Sequence, residues 1–397
     1  MSPPSSAPSP KPDAPSAPHK ALLVVYLTVF LDLLGFGIIL PQLPFYALQF
    51  GASGAWVGVL LAAFSAAQLL GAAVLGRLSD RYGRRPVMLI SLFGSFLAFT
   101  MAGLSTTLYQ LILSRALAGL FGGSIATAQA YVADVTEPKD RARYMGLIGA
   151  SIGMGFVLGP FVGAEMSRFG FAAASYLAAG LSVCDLILAA LFLREPPRGA
   201  RPLVRLSLPQ ALAQPVIGRL LLTNFVTALA FVGMEATFAL LGKQRFGLGP
   251  ATMGRFFAGI GIVLAAVQGG LVGRLVSRFG ERRVAIAGAL ILAVSLFLIP
   301  WAPQLGYLAG TTLLLAAGQG LLLPSTSTLM SRRSPPTMQG GILGINQSLG
   351  AGARAVGPVV AGALFDVNFH LPYVVSGALV LGVAGALAAL RDETPAP

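Results

Sequence analysis

The chain has 397 residues, 55% of them hydrophobic and only 10% charged, and its mean hydropathy of +0.79 excludes a soluble globular protein. A formal net charge of +13 would suggest nucleic acid in a soluble chain, but here the basic residues sort with membrane topology, so no nucleic-acid partner is expected. The one cysteine, Cys184, excludes an intrachain disulfide, and its mid-helix place suits a small hydrophobe.

Residues 1–19, MSPPSSAPSPKPDAPSAPH, are rich in Pro, Ser and Ala, and are expected to form a disordered tail. Crossing a hydrocarbon core of roughly 30 Å takes about 20 apolar residues. From residue 20 the chain reads as twelve such runs, at 20–43, 54–75, 86–105, 107–133, 144–166, 170–193, 216–241, 252–273, 284–302, 305–328, 341–365 and 371–390. The first run is too long for a cleaved signal, and eleven follow it. ALLVVYLTVFLDLLGFGIIL is apolar on every face apart from single polar positions, whereas a membrane β-barrel needs alternating polarity. The expected fold is an all-α membrane protein of twelve transmembrane helices in two six-helix, pseudo-symmetric halves, 20–193 and 216–390. A central loop (194–215) joins them, and a short tail (391–397) follows.

Apart from Lys20, Arg219 and Arg255 in the first turn of their runs, six ionisable residues fall inside these runs: Asp32, Arg115, Glu165, Asp185, Glu235 and Arg354. Each would cost roughly 2.5–3.5 kcal/mol at a helix centre facing lipid, so interior positions are expected. Asp32 lies in the middle of helix one with Thr28 and Gly35 on its face, either as a proton carrier or as a structural acid bonded across helices. After helix two, GRLSDRYGRRPV (76–87) concentrates Arg77, Asp80, Arg81, Arg84 and Arg85 in a turn of some ten residues, whose tight backbone Gly76 and Gly83 suit. On helix four, Arg115, Gly119, Gly122, Ala126 and Gln129 form one narrow polar face, suited to a cavity or to a structural pairing. Helix five carries Gly155, Gly159 and Gly163 with Pro160, a spacing that permits close helix approach and a kink; Glu165, near its outer end, is read as a wet interfacial residue. Asp185 on helix six either adds a second titrating site or faces water.

Helix seven holds Asn224 and Glu235, the latter a second candidate for protonation or cation binding. GRLVSRFGERRV (273–284) then repeats the first charged stretch at seven of twelve positions, and GPVVAG from Gly357 repeats GPFVGA from Gly159 at nearly the same offset. In helix eleven, Gln347, Ala351, Arg354 and Pro358 share a face; Arg354 either binds an anionic group of a substrate or neutralises a buried acid such as Glu235. Paired six-helix halves imply alternating access around a midplane site.

All but six of the 27 Lys and Arg lie in the tails and in the loops after even-numbered helices, which places both termini in the cytoplasm. The sequence has two histidines, no metal-ligand cluster, no nucleophile–base set and no phosphate loop, so neither an enzyme, a cofactor nor a bound metal is expected.

These stretches carry a resemblance. Gly76 to Arg85 resembles the loop signature of the major facilitator superfamily. LSRALAGLFGG around Arg115 and GASIGMGFVLGPFVGA from Gly149 resemble its fourth-helix motif and fifth-helix antiporter motif. LDLLGFGIILPQLPFY from Leu31 is similar to the first helix of the twelve-helix drug:proton antiporters, the tetracycline-resistance branch in particular. The resemblance implies that Asp80 caps helix eleven in the outward-facing state, with Arg84 and Asp134 as charge partners, and that Arg115 joins proton transfer with a nearby acid. It further implies an exporter, and a neutral amide where this chain has Asp185. The expectation is proton-coupled efflux of small amphipathic or drug-like molecules by a monomer in the inner (plasma) membrane. Its partners are the small-molecule substrate, protons and the lipid bilayer. The alternatives are an importer or metabolite transporter of the same fold, or a non-transporting membrane sensor.

Overall fold

The computed structural model describes residues 19–137, 140–196, 208–335 and 338–390, which are helical with no strand among them. Residues 1–18 of the tail expected at 1–19, the tail at 391–397 and 197–207 of the central loop lie outside the described residues; His19, expected in the tail, is the first helical residue.

Twelve helices are long and apolar enough to span a membrane. They are α1 (Ala21–Gln49), α2 (Gly54–Tyr82), α3 (Arg84–Leu104), α4 (Leu108–Val135), α5 (Arg143–Phe169), α6 (Phe171–Phe192), α7 (Pro215–Phe246), α8 (Pro250–Phe279), α9 (Glu281–Trp301), α10 (Leu305–Arg333), α11 (Gln339–Val367) and α12 (Leu371–Ala388). Helices suit such segments because every backbone group between the ends is satisfied within the element.

The charged stretch at 76–87 corrects the expected ten-residue turn. Gly76 to Tyr82 continues α2 as helix, and one residue, Gly83, makes the whole reversal at φ +113°. Gly280 does the same between α8 and α9 at φ +81°, so the repeated Gly rather than the loop length is the turn signal. Pro41 and Pro44 loosen α1 into a short 3-10 turn at Leu40–Gln42, where the Gln42 amide donates to Ile38 O (2.9 Å) and Gly163 O (3.1 Å).

Small residues set the packing. Gly155, Gly159 and Gly163 of α5 lie against Leu33, Gly37 and Ile38 of α1, so the glycine stripe seats α5 on α1. α1 also packs on α6, α3 on α6 and α2 on α4; α7 packs on α11 and α12, and α9 on α10 and α12. The helices of the first half meet those of the second along α2–α11 and α5–α8.

Repeat-related contacts recur at the basic end, where Gly83 and Gly280 lie. Arg85 donates to Ala190 O at the end of α6 and Arg282 to Leu387 O at the end of α12. Arg141 donates to Ala133 O and Gln339 to Ser331 O. One pair keeps its place but reverses its charges: Arg84–Asp134 (2.9 Å) becomes Glu281–Arg332 (2.7 Å).

Candidate functional site

Three residues one helical turn apart on α1, Thr28, Asp32 and Phe36, organise the interior of the first half. Thr28 Oγ1 donates to Asp185 Oδ1 of α6 at 2.8 Å, and both residues are buried, at 0% and 1% exposure. Asp32 accepts from Ser124 Oγ of α4 at 2.5 Å and from Ser95 Oγ of α3 at 3.4 Å. Phe36 with Phe64 of α2 brackets the guanidinium of Arg115, whose carbon lies 5.1 and 4.8 Å from the two ring centroids. Arg115 is buried and its Nε has no hydrogen-bond partner; the two rings add a cation–π stabilisation of about 2 kcal/mol where water is excluded. Asp32 and Arg115 therefore occupy successive turns of one stripe without pairing in this conformation.

Ser124 reaches Asp32 because α4 is broken. Its first segment, Leu108–Leu120, ends at Phe121, and Ser124–Val135 starts a second beyond Gly122 and Gly123. Gln68 donates to the freed Gly122 carbonyl at 3.2 Å. A new helix N-terminus thus opens beside a carboxylate, the arrangement that favours negative charge inside a bundle. The polar face expected along one straight helix is divided by this break: Arg115 and Gly119 are buried on one side, and Ala126 and Gln129 are exposed on the other.

In the second half, Glu235 of α7 and Arg354 of α11 act on each other electrostatically without a direct ion pair. Arg354 and Gln347 are exposed on α11, whereas Asn224 is buried and donates to Asn346 Oδ1 at 3.0 Å.

The two ends of the bundle differ. At the basic end, Asp80 pairs with Arg84 (2.7 Å), which also holds Asp134 (2.9 Å), so the two implied charge partners of Asp80 are in place around it. The Asp80 side chain itself is 61% exposed. Glu195 caps α3, accepting from the backbone N–H of Arg84 (2.6 Å) and Arg85 (2.9 Å). Gly146, Gly149 and Gly153 of α5, Gly269, Gly270 and Gly273 of α8, and Gly340, Gly344 and Gly352 of α11 face open space here. The two halves stand apart.

At the opposite end they are closed on each other. Asp366 of α11 caps α2, accepting from Gly54 N (2.6 Å) and Ala55 N (2.8 Å). Gly58 lies on the Pro358 backbone and Gly362 on that of Gly54, each too close for a Cβ. Arg255 of α8 binds Glu165 of α5 at 2.9 Å, so Glu165, its side chain 36% exposed as a wet interfacial acid should be, also bridges the halves; Arg168 adds a second contact at 3.5 Å. Phe45 of α1 is buried in the core of the second half and Leu240 of α7 in that of the first. Beyond a π-turn at Val267–Leu271, the segment Val272–Phe279 of α8 packs on α9 and α10 instead of α5.

Sequence reasoning did not single out Ser95, Ser124, Glu195, Asn346 or Asp366. The Gly122-Gly123-Ser124 triplet is a legible helix-restart signal. Asp366 fell one residue beyond the expected end of helix eleven, and its role follows only from which helix stands opposite.

The family model described as Major Facilitator Superfamily matches residues 25–277 and 263–397. The chain is 32% identical over 383 residues to the tetracycline resistance protein, class C, of Escherichia coli, covering 93% of this chain and 96% of that one. It is 29% identical to multidrug resistance protein 2 of Bacillus subtilis (strain 168), covering 91% and 93%. Among solved structures, the human organic anion transporter MFSD10 (TETRAN) superposes with a TM-score of 0.71 at 27% identity, covering 95% of this chain and 100% of that one.

Proposed function

This chain belongs to the major facilitator superfamily and is a multi-pass membrane transporter, and on that premise we propose that it expels small amphipathic, drug-like molecules in exchange for protons. The observation that carries this reading is Asp32: an acid at the centre of α1, bonded to Ser124 where α4 breaks, in a bundle closed at one end and parted at the other. A carboxyl that meets water and dry packing in turn binds and releases a proton. The proton comes from the outer water when the far end opens and leaves to the inner water in the conformation described above. The apolar compound travels the other way.

The basic end is read as cytoplasmic, because its junctions carry the Arg-rich loops. On that orientation both termini are cytoplasmic, the bundle lies in the plasma membrane with its open end ready to load from the cytoplasm, and Asp80 is poised to latch onto α11 once the halves close there. Export would also account for the resistance after which the tetracycline and multidrug relatives are named. A second reading concerns the substrate's charge: Arg354, exposed on α11 without a direct ion pair, favours a compound with an anionic group. The human relative MFSD10 is itself named an organic anion transporter.

The test is transport in proteoliposomes under an imposed pH gradient, with a panel of cationic, neutral and anionic dyes and tetracycline. The native chain is expected to move at least one of them against its gradient, and Asp32→Asn to retain only downhill exchange. Equal gradient-driven transport by both would remove Asp32 from the mechanism, and a pH-independent native chain would end the antiport reading.

A further inference from the structure

Asp185 is the buried acid that the proton exchange proposed above does not use. It sits in α6 with its side chain sealed from solvent; Oδ1 takes the Thr28 hydroxyl and Oδ2 is buried with no hydrogen-bond partner. An ionised carboxylate in such a place costs several kcal/mol unless a cation or a set of donors offsets it. Of the helices packed around α6, α1 brings Asp32 to bear on Asp185, and neither α3 nor α5 brings a charged group that does, among the described residues. Arg115, the buried cation of this half, lies on the Phe36 turn of the stripe between two rings. Arg85 is committed to Ala190 O near the end of α6.

Asp32 thus lies one α1 turn from the Thr28 that binds Asp185, and the two carboxyls have hydroxyls, not cations, as their direct partners. Like charges so placed do not both ionise freely, so the protons they bind are coupled. Thr28 and Asp32 are one turn apart on α1, so any shift of α1 against α6 and α4 moves the Thr28–Asp185 and Asp32–Ser124 bonds together. A threonine hydroxyl both donates and accepts, which lets Thr28 serve either form of Asp185.

We propose that Asp185 is a second proton-carrying carboxyl, coupled to Asp32 across α1, and that one transport cycle carries two protons. This rests on the proton-exchange reading above. No bond other than O–H is made or broken: each carboxyl gains a proton from the outer water and gives it up to the inner water, and Asp185, sealed here, does so when α1 shifts against α6.

The experiment is infrared difference spectroscopy of the full chain in nanodiscs through a pH titration, which needs no substrate. It compares the native chain with Asp32→Asn, Asp185→Asn and Thr28→Val. Among the carboxyl bands of the native titration, each Asn variant is expected to remove one, which assigns the Asp32 and Asp185 bands, and in Asp32→Asn the Asp185 band should shift its midpoint. Thr28→Val should keep both bands and move one. This guards against misfolding, since it leaves both acids in place.

A compound that the native chain transports then reports stoichiometry. At zero voltage and a one-unit pH gradient, the native chain should reach about a 100-fold concentration ratio and Asp185→Asn about 10-fold, each proton supplying a factor of about ten. A native spectrum that Asp185→Asn leaves unchanged, or an unchanged ratio, overturns the proposal while leaving Asp32 intact. A titration from which neither Asn variant removes a band, together with pH-independent transport, would instead overturn the antiport reading.

Discussion

Asp32 accepts from two serines, and neither hydroxyl brings a charge. A hydrogen bond to a charged group is worth about 1.5–3 kcal/mol, so Ser124 favours the ionised form and eases proton release without preventing re-protonation. Ser124→Ala is therefore expected to slow pH-driven transport by about tenfold while leaving expression unchanged, as read by initial rates in proteoliposomes. Arg115 makes a different prediction. A planar guanidinium fits between Phe36 and Phe64, and an ammonium does not stack in that slot. Arg115→Lys should lower thermal stability by about 1–2 kcal/mol despite keeping the charge, measured as a shift in the melting temperature in detergent. Finding the Lys variant as stable as the native chain would mean that the rings are not what holds Arg115.

Among the elements, α2 and α11 form the seam that must close and open. Their contact at the far end is backbone on backbone, and Gly362 allows it because a Cβ there would fall inside the Gly54 backbone. Gly362→Val should wedge this end apart, seen as a longer distance between spin labels on α2 and α11. Asp366 contributes through the α2 helix end, an interaction worth about 0.3–1 kcal/mol, so Asp366→Asn should shift the open-to-closed ratio by only about two- to fivefold. A change as large as that of Gly362→Val would show that the carboxylate, not the packing, carries closure.

The sequence made α4 look like one rod, because its polar residues keep a helical spacing across the Gly122-Gly123 pair. Spacing alone does not reveal a break that restarts in nearly the same direction. The turn after α2 misled for a related reason: charge was read as loop, whereas Arg77 to Tyr82 are a helix end projecting past the apolar span.

For the whole molecule, the repeat predicts equivalent contacts, and it also shows where they need not be chemically alike. Arg84–Asp134 and Glu281–Arg332 occupy the same place with opposite polarity, so geometry is conserved while charge order is free. Exchanging the second pair tests this. Glu281→Arg alone should destabilise the chain, and Glu281→Arg with Arg332→Asp should recover most of the loss, as read by thermal melting. No recovery would mean that each polarity is required by its own surroundings.

Twelve spans, the internal duplication and the family were legible in the chain itself, because run length, repeated motifs and the placement of Arg are local properties that survive without any knowledge of neighbours. Only the tertiary structure decided that Asp185 pairs with Thr28, that Asp32 meets Ser124 rather than Arg115, and that Asp366 and Glu165 bridge the halves at the far end. Those outcomes depend on which faces of distant helices are pressed together. In a chain apolar on nearly every side, hydropathy places a helix in the membrane but does not choose its neighbour; small residues and buried polar groups do.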